Sequence, residues 1–212
     1  MKAEKASIRK AYTQFVLENG QAPASVYRFC RDLELEEAEF YSLYSSFQAI
    51  DQDIIIHHFT EVIELLEKDE AYQAYSAREK YTAFLYAWVE HSLLHRSLFL
   101  LWQNQENNPF AKGSYMKALK TSFENWTEGV LSEAMDNRET IRRPFLSEKY
   151  PEALFLQFVW VHQFWLKDTS PAFEKTDAAI EKSVRLAFDL MGEGVLDSAM
   201  DLGKFLFQQV KG

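Results

Sequence analysis

Apolar residues recur along this chain at three- and four-residue intervals, and that period predicts helices from one end to the other. Ile8, Ala11, Tyr12, Phe15 and Val16 share one face of a helix over residues 4–18, which Asn19-Gly20 stops. Ser25 caps a short helix carrying Val26, Phe29 and Cys30, and a second short helix runs from Glu36 to Leu43. Ser45 with Gln48 makes a capping box for a helix reaching about Glu67, where Ile55, Phe59, Val62, Ile63 and Leu66 align. Ser76 and Glu79 form a second box, opening one long helix to about Asn104 with Tyr81, Phe84, Leu85, Trp88, Leu98 and Trp102. Asn107-Asn108-Pro109 ends it. Tyr115, Leu119, Phe123, Trp126 and Val130 mark the next helix, and Glu148 to Lys167 another, with Pro151 in its first turn. Ser170-Pro171 opens a helix to Met191, Gly192-Glu193-Gly194 breaks it, and Val195 to Val210 forms the last. No stretch alternates with period two, so the expected fold class is all-α.

Composition sharpens this picture. Gly (7) and Pro (5) are scarce in 212 residues, as long helices require. Aromatics reach 15%, which implies a bulky core, a wide contact surface or a pocket. Cys30 is the only cysteine, so no intrachain disulfide is expected. The longest nearly apolar run, Ala153 to Leu166, is broken by Gln157, His162 and Gln163 and is shorter than the ~20 residues that span a bilayer. No charged segment followed by an apolar one opens the chain, and a reducing, cytoplasmic setting is expected. The net charge of −9 repels nucleic acid and anionic membranes wherever no local basic patch intervenes.

Within the first fifty residues the pattern Ile8, Ala11, Phe15 and Gly20 is followed by Ser25-Val26 and then by Tyr41-Ser42-Leu43-Tyr44 before Ser45-Ser46. Over roughly residues 5–50 this resembles the TetR family of transcriptional regulators. The resemblance implies a helix-turn-helix domain over 1–47 and a helical ligand-binding and dimerisation domain over 48–212. It also implies a ligand-responsive homodimer joined through residues 171–210, with Leu186, Phe188, Leu196, Met200, Leu202, Phe205 and Leu206 as suitable interface residues. The DNA contacts it implies come from Lys2, Lys5, Ser25, Arg28, Arg31 and Tyr41. The family's tight turn uses Gly where Glu34 stands, and its recognition helix begins with a hydroxyl residue where Glu36 stands. A lysine usual at the next helix start is Phe47 here. Five of the eight residues 32–39 are acidic, including Glu34, Glu36, Glu37 and Glu39, and no Lys or Arg occurs from Asp32 through Glu67. Groove binding needs cations near phosphates, so this face opposes DNA. Three readings stay open: a solvated face of a module kept for folding, ordinary operator binding, and a surface for a basic protein partner.

Beyond residue 50, His91 and His95 lie on one helical face with Phe84, Trp88, Leu98 and Trp102. They read as polar anchors in a pocket wall, as core histidines with satisfied partners, or as part of a metal site lacking evident further ligands. Trp88, His91, His95, Trp102, Phe123 and Trp126 are the expected pocket lining, for a long or flat apolar ligand oriented by a histidine. His57, Glu61 and Glu64 share another face, read as solvated because the paired Glu-x-x-His pattern of di-iron bundles is absent. The helix over 148–167 is apolar on all sides and so is expected to be buried all round. No phosphate loop, nucleophile elbow or zinc-type cysteine spacing occurs, and no enzyme, metal or cofactor is expected. The functional expectation is a TetR-like ligand-responsive regulator. The alternative is a TetR-fold protein that has left DNA and binds a lipid or isoprenoid-like molecule.

Overall fold

The structure, a computed structural model, describes residues 4–105, 114–143 and 146–194. Among these every regular element is helical: α1 (Lys5–Asn19), α2 (Val26–Asp32), α3 (Glu37–Leu43), α4 (Phe47–Glu67), α5 (Glu70–Gln73), α6 (Ala77–Ser92), α7 (Arg96–Gln105), α8 (Tyr115–Asp136), α9 (Tyr150–Lys167) and α10 (Glu174–Met191). The helix expected over Val195–Val210 lies outside the described residues. The chain divides into two compact units, residues 1–63 with 90–120, and residues 64–89 with 121–212.

Local chemistry explains most boundaries of the first unit. Gly20 ends α1 in the left-handed region (φ 70), its N–H donating to Val16 O, a conformation that costs glycine little. Ser25 Oγ accepts from the Arg28 N–H and starts α2. The turn into α3 places Glu34 at φ 54, a positive value at the position where the resembled family uses glycine. At the start of α3, Glu39 Oε2 accepts from the Glu36 N–H. The cap at the start of α4 comes from Ser46, whose Oγ accepts from Ala49 N–H, and not from Ser45 as expected. Two adjacent serines give the same sequence signal, and the backbone selects the one that can reach three residues ahead.

The expected single helix from Ser76 to Asn104 is two helices, α6 and α7, separated by a 3₁₀ turn at Leu93–His95. Three residues at 120° instead of 100° shift the helical phase by only ~60°, too little to show in the hydrophobic pattern. The box at its start is present: Glu79 Oε2 accepts from Ser76 N–H, and Ser76 Oγ accepts from Glu79 N–H.

In the second unit α9 packs on α10. Its core is aromatic: Phe123 stacks on Phe158 at 5.0 Å, Trp88 meets Phe158 edge-on at 4.9 Å, and Phe84 lies 4.6 Å from Trp126. Helix α9 is not buried all round as its composition suggests. Leu156 and Trp160 are about half exposed in the single chain. Pro171–Phe173 forms a 3₁₀ turn, so α10 begins at Glu174 and not directly after Ser170-Pro171. Two anchors that sequence spacing does not reveal hold this helix. Asp168 accepts four hydrogen bonds before it, and Arg143 donates to the carbonyls of Met191 and Gly192 after it.

Candidate functional site

The three N-terminal helices enclose an aromatic cluster. Phe47 stacks on Tyr12 at 5.5 Å and meets Phe29 and Phe40 edge-on at 5.5 and 5.8 Å. The residue that replaces a family lysine is therefore a half-buried member of this aromatic cluster. Asp53 on α4 ties the module to α1: Arg9 donates to its Oδ2 at 2.7 Å, Tyr44 OH donates to the same oxygen at 2.6 Å, and Lys5 Nζ lies 3.6 Å from Oδ1. Burial would raise the Asp53 pKa, but the hydrogen bonds of Tyr44 and Arg9 and the charge of Lys5 bring it below the ordinary value.

This arrangement changes the standing of the candidate DNA contacts. Lys5 is paired with Asp53 and sits over the Tyr44 ring. Arg31 donates through Nε and Nη2 to Asp32 Oδ1. Ser25 is occupied as a helix cap. Arg28 and Tyr41 are exposed, and Lys2 lies outside the described residues. On the acidic side Glu34, Glu36 and Glu37 are exposed, while Glu39 is half-buried and turned back onto its own helix. The start of α3 thus carries carboxylates, and two of the neighbouring cations are engaged within the chain.

A groove of about 660 Å³ opens in the same unit, walled by α1, α4 and α7. Leu17, Ile54, Leu98 and Phe99 supply apolar surface, and His57, His58, His95, Arg9 and Glu61 supply polar groups. Such a volume, mostly apolar with a few polar anchors, suits a small molecule. His58 is buried; its Nε2 lies 2.8 Å from Ser92 Oγ and its Nδ1 3.3 Å from His91 Nδ1. The His95 ring meets His58 edge-on at 5.4 Å. Burial lowers the pKa of His95, and the neighbouring His91 lowers it further.

The six expected pocket residues divide between the units. His91, His95 and Trp102 lie in the first, and Trp88, Phe123 and Trp126 in the second. His95 alone of the six lines the groove. Trp102 packs on Phe99 and Tyr115, at 5.7 and 4.8 Å. Trp88 and Phe123 are wholly buried in the second unit's core, where Trp88 Nε1 donates to His162 Nδ1 at 3.1 Å. Sequence reading missed His58 and the α1 wall. Helical spacing reveals residues that share a helix, whereas this groove joins three helices distant in sequence. One signal was present: His58 falls on the apolar face of α4 with Ile55, Phe59 and Val62.

Residues 80–206 match the family described as the tetracyclin repressor-like C-terminal domain, and the chain belongs to this TetR family. Solved structures agree in fold. One, described as a TetR family transcription regulator from Shewanella sp. PV-4, is 10% identical with a TM-score of 0.58, covering 89% of this chain and 98% of that one. A transcriptional regulator from Cytophaga hutchinsonii ATCC 33406 is 16% identical with a TM-score of 0.53, covering 87% and 96%. A protein of unknown function from Rhodococcus sp. RHA1 is 18% identical with a TM-score of 0.53, covering 85% and 93%. No curated protein matches the chain. Among the described residues no helix is long and apolar enough to cross a membrane.

Proposed function

We propose that this TetR-family protein is a homodimeric, ligand-responsive regulator whose ligand occupies the groove between α1, α4 and α7. One observation carries the reading. The groove is walled by α1 and α4, the helices whose Tyr12 and Phe47 also pack into the helix-turn-helix core. A ligand that separates these helices acts on α2 and α3 through contacts already made, and its differential affinity for two arrangements sets the size of the response. The ligand is small and largely apolar, with a polar group oriented by His95 or His57. Trp88, Phe123 and Trp126 belong to the second unit and do not line this groove.

A specific observation favours a second reading, in which the same protein binds a lipid or isoprenoid-like ligand without any operator. The face of α3 carries Glu36, Glu37 and Glu39, and Arg31 and Lys5 are committed to Asp32 and Asp53. Each carboxylate near a phosphate opposes binding, and screening over ~8–10 Å weakens that opposition without reversing it.

Fluorescence anisotropy against DNA flanking the protein's own gene, at low and moderate salt, separates the two. Under the first reading at least one fragment binds more tightly than scrambled DNA, and ligand releases it. Under the second, binding is weak, indifferent to sequence and lost at moderate salt. In either case, changing Glu34, Glu36, Glu37 and Glu39 together to Gln strengthens nonspecific association. An unchanged affinity in that variant would show that α3 does not face DNA at all.

A further inference from the structure

Four of the five histidines, His57, His58, His91 and His95, belong to the first unit, and two of them meet across helices with a carboxylate beside them. His58 lies on α4 and His91 in the last turn of α6, and their Nδ1 atoms are 3.3 Å apart. Glu61, three residues beyond His58, brings a carboxylate oxygen to the same place; one ligand atom from each of His58, Glu61 and His91 falls within 4.8 Å of the others.

The distance itself is informative. An N–H donor in an ordinary hydrogen bond sits at ~2.9–3.0 Å from its acceptor, so 3.3 Å is long for one. Two nitrogens bound at ~2.0–2.1 Å to one tetrahedral ion stand ~3.3–3.4 Å apart. The backbone positions of α4 and α6 therefore already hold the imidazoles at the separation an ion requires.

The surrounding groups fit the same arrangement. Ser92 Oγ, 2.8 Å from His58 Nε2, can accept that nitrogen's proton and so turn Nδ1 toward His91. A metal-bound histidine is usually oriented in this manner by a partner on its other nitrogen. His58 and Glu61 line the groove, which supplies an entry path and room for an exchangeable fourth ligand. His95 stands on the same wall, its ring 5.4 Å from that of His58. His57, exposed on α4, faces Glu61 at 3.5 Å from the solvent side.

We propose that His58, His91 and Glu61 bind one divalent transition-metal ion of the zinc class, with an open coordination position facing the groove. Two imidazoles and a carboxylate form a borderline donor set. It favours Zn²⁺, Co²⁺, Ni²⁺ or Cu²⁺ over Mg²⁺ and Ca²⁺, which prefer all-oxygen shells. The proposal goes beyond the regulatory reading and stands without it, because the ion binds whether or not the protein touches DNA.

The test uses the purified full-length chain stripped with a chelator. Titration with Co²⁺ should give a visible ligand-field band that saturates at one equivalent. Zn²⁺ should abolish that band and, in competition with a chromogenic chelator, should also bind at one equivalent. His91→Ala and Glu61→Gln change half-buried side chains and should leave the circular dichroism spectrum intact. Each should weaken Zn²⁺ binding at least about tenfold, since even supporting residues of such sites are worth 10–100-fold. Glu64→Gln, exposed on α4 and outside the groove, should stay within about threefold of the parent. Absence of saturable Co²⁺ or Zn²⁺ binding by the folded chain overturns the proposal. So does equal affinity in the parent and in folded His91→Ala and Glu61→Gln. DNA binding enters none of these readouts, so failure here leaves the regulatory reading to its own experiment.

Discussion

His162 shows how a single buried side chain sets a property of the whole protein. Wholly enclosed on α9, it accepts a hydrogen bond from Trp88 Nε1 through Nδ1, which requires the neutral ring. Burial pushes its pKa down to about 3, while the unfolded chain keeps the ordinary value near 6.5. Between those values the unfolded state binds the extra proton, so stability is complete above pH ~6.5 and is lost as pH falls. Each pH unit within that window costs up to about 1.4 kcal/mol. Urea unfolding followed between pH 7 and 5 should show this fall, and His162→Gln should flatten it. An equally steep fall in a folded His162→Gln variant would assign the acid sensitivity to other groups.

At the scale of elements, boundaries depend on side chains that reach across the chain more than on propensity. Asp168 Oδ1 accepts from the N–H and hydroxyl of Ser170, and Oδ2 from the N–H and hydroxyl of Thr176. Burial would raise its pKa, and these bonds outweigh that and hold it far below the ordinary carboxylate range. The carboxylate fixes the turn in which Ala172 and Phe173 take positive φ, and so sets where α10 begins. Asp168→Ala should therefore lower the melting temperature by several degrees, and Ser170→Ala by clearly less, because it leaves the Thr176 bonds in place. Equal shifts in differential scanning calorimetry would mean that the serine, not the aspartate, organises the turn.

At the scale of the molecule, α9 and α10 leave Leu156, Trp160 and Leu186 exposed, the last by 60%. Exposed apolar side chains of this size on α9 and α10 are where a partner would be accommodated. The proposed homodimer through residues 171–210 would cover Leu186. Leu186→Arg should then weaken dimerisation by roughly tenfold or more, since a charge buried without a partner is costly. Analytical ultracentrifugation of parent and variant reads this directly. A parent that sediments as a monomer at micromolar concentration removes the dimer from the proposal, and a variant as dimeric as the parent moves the interface away from α10.

Much of this protein was legible in its sequence. The helical period, the Gly20 stop, the Ser25 cap and the Ser76–Glu79 box all act within one turn of chain, so spacing alone reveals them. The acidic face of α3 is equally local, because no fold can remove charge from five carboxylates in eight residues. The family pattern across Ile8, Ala11, Phe15 and Gly20 is local too, whereas the tetracyclin repressor-like match that shows the family lies over residues 80–206. What only the tertiary structure decided are relations between distant segments. It set Phe47 against Tyr12, Phe29 and Phe40, bound Lys5 to Asp53, and used Asp168 and Arg143 to hold α10. It put His91 beside His58 and not merely on a stripe with His95, and opened the groove against α1. Spacing along a helix identifies which residues share a face, but which faces meet depends on the packing of helices far apart in the chain.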